Sequence, residues 1–169
     1  MTQNTHATTR EADPPRQMLT FKLGEELFAV DILRVQEIRG WSEVTRIPRA
    51  PSHVLGVLNL RGSIVPIIDL RLRFGLERAE FTALTVIIVL SVPTESSTRE
   101  LGLVVDSVSD VIGMRPEDLR ELPDLGSRSN SQVISGIASI EKRMVILLDV
   151  GELMAMQEPG RDELQIAAA

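Results

Sequence analysis

Asp31, Asp106 and His53 are the side chains of this sequence best suited to acid–base or metal chemistry, and the rest of the composition limits what they could do. The chain has no cysteine and only two histidines, His6 and His53. Thiol nucleophiles, disulfides and thiolate zinc sites are therefore excluded, and His53 in "APSHVLG" lacks a second His or Cys to complete a metal set. It reads as a surface residue of a turn. Asp31 and Asp106 could be imagined as a carboxylate pair for general acid–base work, but each sits in the same place of a repeated unit, which favours a turn or capping role. An enzyme built on Asp31, Asp106 and His53 would need all three to converge in one pocket. The sequence contains no phosphate-cradling glycine loop, nucleophile elbow or Walker motif. No cofactor is implied.

The stretch "GVLNLRGSIVPIIDL", residues 56 to 70, suggests binding rather than catalysis. It sets Asn59-Leu60-Arg61-Gly62 between two apolar runs. Strand alternation would put Val57, Asn59 and Arg61 on one face and Leu58 and Leu60 on the other. The quartet is either a polar hairpin end, with Gly62 supplying a positive φ, or a recognition patch. Glu37 in "RVQEIRG" offers a carboxylate that would fix the Arg61 guanidinium fork.

Elements that could position these groups are legible from pattern. "MLTFKL", "GEE" and "LFAVDI" read as an antiparallel hairpin, and further strands are expected at 35–40, 44–47, 55–60 and 64–68. Short helices are expected over 70–74 after Asp69 and over 151–156 after Asp149, each with Asp at the N-cap. Residues 1–16 and 157–169 read as polar or small-residue tails with too little apolar surface to order themselves. With 169 residues and 43% hydrophobic content, the remainder suits one domain, or two small barrels sharing a core. The net charge of -6, with one Trp and four Phe, gives no basic or stacking face, so nucleic acid is not an expected partner. The longest apolar run, "LTVIIVLSV" from Leu84, is about half of what a spanning helix needs, and the N-terminus shows no apolar signal region. A cytoplasmic protein without membrane insertion is expected.

An internal repeat organises the chain. Offset by 75 residues, Val30-Asp31 falls on Val105-Asp106, Val44 on Leu119 and Ile47-Pro48 on Leu122-Pro123. Offset by 80, Gly56 falls on Gly136, Leu60 on Ile140, Val65 on Val145 and Asp69 on Asp149. Two tandem units result, about 17–80 and 81–156, with an insertion around "LGSRSNSQ". Positions that keep their character across the repeat most simply maintain the fold. The quartet changes: Asn59-Leu60-Arg61-Gly62-Ser63 becomes Ser139-Ile140-Glu141-Lys142-Arg143, so the fold does not by itself dictate it.

Taken in order, "FAVDILRVQEIRGW", "VTRIPRAP", "GVLNLRGSIVPIIDLRLRFG" and "LGLVVDSVSDVIGM" resemble the CheW family of bacterial chemotaxis coupling proteins, from about Met18 to about Met156. The resemblance implies an all-β fold of two SH3-like five-stranded barrels, intertwined across 17–156. It implies a non-enzymatic adaptor that joins the cytoplasmic tips of chemoreceptors to the regulatory domain of the histidine kinase CheA in membrane-associated arrays. Carried over by motif, the partner-facing residues would be Val35, Glu37, Gly56, Asn59, Leu60, Arg61, Gly62 and Val111. The same adaptor role in another chemosensory pathway, controlling pili or gliding, is the nearest alternative. The sequence departs from common members in loops 91–99 and 124–132, which bears on partner choice.

Overall fold

The computed structural model describes residues 13–77, 80–123 and 132–155. The tails beyond those limits, loop 124–131 and the expected helix end at Met156 lie outside the described residues. Among the described residues eleven strands form two sheets. The first unit supplies β1 (Arg16–Leu23), β2 (Glu26–Asp31), β3 (Val35–Gly40), β4 (Val54–Leu60) and β5 (Ser63–Asp69). The second supplies β6 (Val86–Pro93), β7 (Thr98–Val105), β8 (Ser107–Met114), β9 (Leu119–Arg120), β10 (Ile134–Ile140) and β11 (Arg143–Leu148). Helices α1 (Leu70–Arg73) and α2 (Val150–Ala155) follow Asp69 and Asp149 as expected. Asp69 Oδ1 accepts from Arg71 N at 2.9 Å and Asp149 Oδ1 from Glu152 N at 3.0 Å, satisfying amides that a helix start leaves unpaired.

The strand order crosses the division expected near residue 80. One sheet runs β8-β1-β2-β11-β10-β9 and the other β3-β6-β7-β5-β4, so each contains a hairpin from the other half of the chain. The chain passes between sheets twice, at Asp31 after β2 and at Asp106 after β7. Both passages are repeat-equivalent, as are the joining ladders: β5 pairs in parallel with β7, and β11 with β2. The sequence halves are therefore repeats, while each sheet is a composite of both.

Strands with period-two alternation explain three clusters of buried side chains. Met18, Ala29, Met114, Ala138, Val145 and Leu147 form the core of the β1-containing sheet. Val65, Ile67, Ile87, Val89 and Val104 form the core of the other. Between the sheets lies the third cluster, which includes Phe21, Phe28, Val30, Ile88, Leu90, Leu101, Leu103 and Val105, together with Leu70 and Leu153 from the helices. Ile87 and Val89 thus face one core while Ile88 and Leu90 face the interface. That is why "VIIVL" reads as a continuous apolar run: both faces of β6 are covered.

The repeat is kept in register. Thr45 pairs with Val57 and its counterpart Arg120 with Ile137. The strand expected over 44–47 reduces to that single bridge, flanked by Pro48, Pro51 and Arg49 at φ 65°. Leu119–Arg120 makes two pairs instead, so the β1-containing sheet counts a sixth strand where five were expected.

Because β6 and β7 serve an own-sheet core and the interface together, the two sheets should unfold as one. Leu103→Ala, fully buried in the interface cluster, is expected to cost about 2–5 kcal/mol and to leave a single urea transition. Two resolved transitions, followed by intrinsic fluorescence and far-UV circular dichroism, would contradict this.

Candidate functional site

β3 carries Val35 and Glu37, and a bulge decides where they face. Val35 lies opposite Leu90 and Glu37 opposite Val89, so Gln36 is the extra residue. Without the bulge two residues at this spacing would share a face. With it, Val35 packs against the interface cluster while Glu37 turns to the opposite face of the sheet. There Arg61 Nη2 lies 3.3 Å from Glu37 Oε2, and Arg39 Nη1 lies 3.7 Å from Glu37 Oε1. The Arg61 side chain is 81% exposed, so the contact orients the guanidinium without hiding it. Glu37, Arg61 and half-buried Leu60 line a depression of about 180 Å³ with Gln36, Ser63, Val89 and Glu100.

The quartet forms a hairpin turn from which one charged side chain projects. β4 ends at Leu60, so Arg61 does not continue the strand face of Asn59, contrary to the alternation. Arg61 at φ 53° and Gly62 at φ 88° form a two-residue hairpin turn, and Asn59 Oδ1 accepts from Gly62 N at 3.0 Å. Asn59 and Gly62 shape the backbone; Arg61 projects from it. In the second unit Glu141 and Lys142 occupy the same turn at φ 51° and 66°, which shows that the hairpin forms without Asn, Arg or Gly.

Gly56 is a different matter. It is buried at the β4–β5 bulge with φ 151°, and a Cβ there would overlap the carbonyl oxygen of Thr45. Its identity is explained by that close approach.

Val111 lies on the other sheet. It is opposite Leu19 of β1, an interface-cluster residue, and so faces the interface while remaining 49% exposed. β3 and β8 are end strands of their respective sheets. Val35 on one and Val108 on the other pack against the interface cluster, so each edge borders the interface between the sheets, the seam. Ile38, opposite Ile88 of the interface cluster and 44% exposed, adds apolar surface along it, and Leu33 is 85% exposed in the link between β2 and β3. Sequence reading missed both, because alternation from Val35 would have placed Ile38 on the other face; only the bulge reverses that. The eight expected residues thus divide. Glu37 and Arg61 meet, Leu60 lies beside them, Asn59 and Gly62 hold the turn, Val35 and Val111 face the seam, and Gly56 is packed away from both.

The acid–base candidates do not converge. Asp31 Oδ2 is 2.9 Å from Arg16 Nη2, and Asp31 Oδ1 accepts from Leu33 N at 2.9 Å. Partial burial pushes the Asp31 carboxyl up, but the hydrogen bonds from Leu33 and Arg16 outweigh it and hold it below the ordinary value. Asp106 is engaged by Arg71 at 2.6 Å. Among the described residues no three His, Cys, Asp or Glu side chains are grouped to hold a metal, and no helix is long and apolar enough to cross a membrane.

Known proteins match this architecture. The CheW-like domain family model matches residues 17–158. The chain is 38% identical over 154 residues to the chemotaxis protein CheW of Rhizobium meliloti, covering 91% of this chain and 97% of that one. The crystal structure of the scaffolding protein TtCheW from Thermoanaerobacter tengcongensis superposes with a TM-score of 0.72 at 31% identity, over 80% of this chain and 89% of the other. At 25% identity, the protein FrzA of Myxococcus xanthus matches 88% of this chain and 91% of its own length.

Burial, and then the nearby Arg73 charge, depress the His53 pKa below 6.5. The folded state therefore resists a proton that the unfolded chain accepts, so stability should be level above the ordinary value and fall as the pH drops through 6.5 toward the folded pKa. His53→Gln should flatten that slope, read as urea midpoints against pH. Parallel curves for parent and variant would contradict the assignment.

Proposed function

Because this chain belongs to the CheW-like family, scaffolds of chemotaxis and not enzymes, we propose that it joins the cytoplasmic signalling tips of chemoreceptors to the regulatory domain of the histidine kinase CheA. The observation that carries this reading is the seam between β3 and β8. Two sheet edges present exposed Ile38 and Val111 along one interface. On the far face of β3, Glu37 orients the exposed guanidinium of Arg61. The apolar strip suits burial of one face of an amphipathic partner helix, and the oriented arginine offers a separate polar contact across the edge strand β3. The adaptor then works by geometry: holding receptor and kinase together lets small differences in contact bias the kinase between its states, and multiple weak contacts gain strength through effective concentration. The likeness to FrzA, a protein of another name, supports a second reading in which the same scaffold serves a different chemosensory pathway. The kinase recovered from the native cytoplasm distinguishes the two.

Arg61→Glu tests the site against the fold, since Glu141 already occupies the equivalent turn position at nearly the same φ. Stability should stay within about 1 kcal/mol of the parent, while receptor-dependent kinase activation in a reconstituted assay falls more than about tenfold. Normal coupling would reduce the quartet to a turn. Loss of folding would make Arg61 structural.

A further inference from the structure

β3 and β8, the two edges of the seam, each begin just after a point where the chain passes between sheets, and each passage starts with an aspartate. Asp31 precedes β3 and is bound by Arg16 of β1 and by Leu33 N. Asp106 precedes β8, and its Oδ2 takes two donors: Arg71 Nη1 at 2.6 Å and Gly24 N, in the β1–β2 turn, at 2.7 Å. The Asp106 amide in turn donates to Lys22 O at 3.0 Å. Arg71 is fixed from its own side as well, for its Nε donates to Glu77 O at 3.0 Å and its amide to the capping Asp69.

The parallel β5–β7 ladder explains why these groups meet. Asp69 lies opposite Val104, so the residues two further along each chain, Arg71 and Asp106, fall side by side beyond the last rung. Arg71 belongs to the helix that continues β5 of one sheet; Gly24 and Lys22 belong to β1 and its turn in the other. Asp106 links them. Its side chain and that of Arg71 are 29% and 19% exposed, so water screens the pair less than at a fully exposed site. The repeat isolates what is particular here. The counterpart of Arg71 is Gly151, which has no side chain to reach Asp31. The carboxylate is kept at both passages, and at each its arginine comes from the sheet the chain is leaving: Arg16 of β1 for Asp31, and Arg71 of the helix that continues β5 for Asp106.

We propose that Arg71 is a positioning residue: through Asp106 it fixes the start of β8 against the other sheet, and so sets where Val111 stands across the seam from β3. This rests on the seam being the receptor-tip site. It adds a group that touches no partner yet governs the shape of the surface a partner meets.

The experiment compares the parent chain, Arg71→Met, Arg71→Lys and the exchange Arg71→Asp with Asp106→Arg. The probe is a soluble receptor signalling-tip hairpin, titrated against each variant. Arg71→Met should bind it about three- to thirtyfold more weakly, with Arg71→Lys and the exchange recovering part of the loss. Amide hydrogen exchange over 107–114 should accelerate in Arg71→Met relative to 86–93, and the lysine variant should slow it again. Parent-like binding by Arg71→Met, or unchanged exchange in β8, overturns the proposal. Should Arg71→Met not fold, Arg71→Lys against the parent carries the same two readouts. A parent that fails to bind the hairpin removes the seam as receptor site and with it the recognition role of Arg71, while the β8 exchange rates still decide whether Arg71 positions that strand.

Discussion

β6 and β7 are buried on both faces, and most of the architecture depends on that. A strand offers its side chains alternately to two sides, so a strand covered on both must belong to two cores. Ile87 and Val89 complete one sheet's core, and Ile88 and Leu90 complete the interface. β2 does the same from the other direction, with Ala29 in one core between Phe28 and Val30 in the interface. Neither sheet can be peeled from the other without opening the largest apolar cluster to water, whose cost scales with the area exposed. The exchange of hairpins between halves of the chain adds covalent continuity to that packing.

A rigid relation between two sheets gives the seam its use. The sheets end in β3 and β8, whose exposed apolar groups Ile38 and Val111 are held in place because their partners, Ile88 and Leu19, are locked in the shared cluster. Glu37 and Arg61 are set on the other side of β3 by a single inserted residue. The exposed apolar groups of β3 and β8 thus continue the face of the interface core out to the sheet edges.

Much of this was legible in the sequence. The hairpins, both aspartate-capped helices and the two-part repeat follow from local chemistry: turn residues, N-caps and alternation within a few positions. Glu37 was correctly paired with Arg61, because a carboxylate not required by the repeat stood near an arginine not required by it. The rest depends on partners distant in the chain. Alternation says that β6 has two apolar faces but not which strands cover them, so the intertwining of the halves is implied by the family resemblance and not by the pattern of residues. A bulge leaves no mark in composition, so the facing of Ile38 is not readable from alternation, and the strand end at Leu60 puts Arg61 in the turn and off the strand face of Asn59. The Arg71–Asp106 contact exists only because β5 and β7 run side by side in parallel.

We propose that one receptor hairpin lies in the seam and touches both sheets. The absence of cysteine makes this directly measurable. Val35→Cys, Ile38→Cys and Val111→Cys, each a single thiol in an otherwise thiol-free chain, would be mixed with a receptor tip hairpin bearing one cysteine and oxidised. The account predicts disulfide cross-links to the same hairpin from Ile38→Cys on one sheet and Val111→Cys on the other, with less from half-buried Val35→Cys. Efficient cross-linking from one sheet alone, with none from the other, would contradict it.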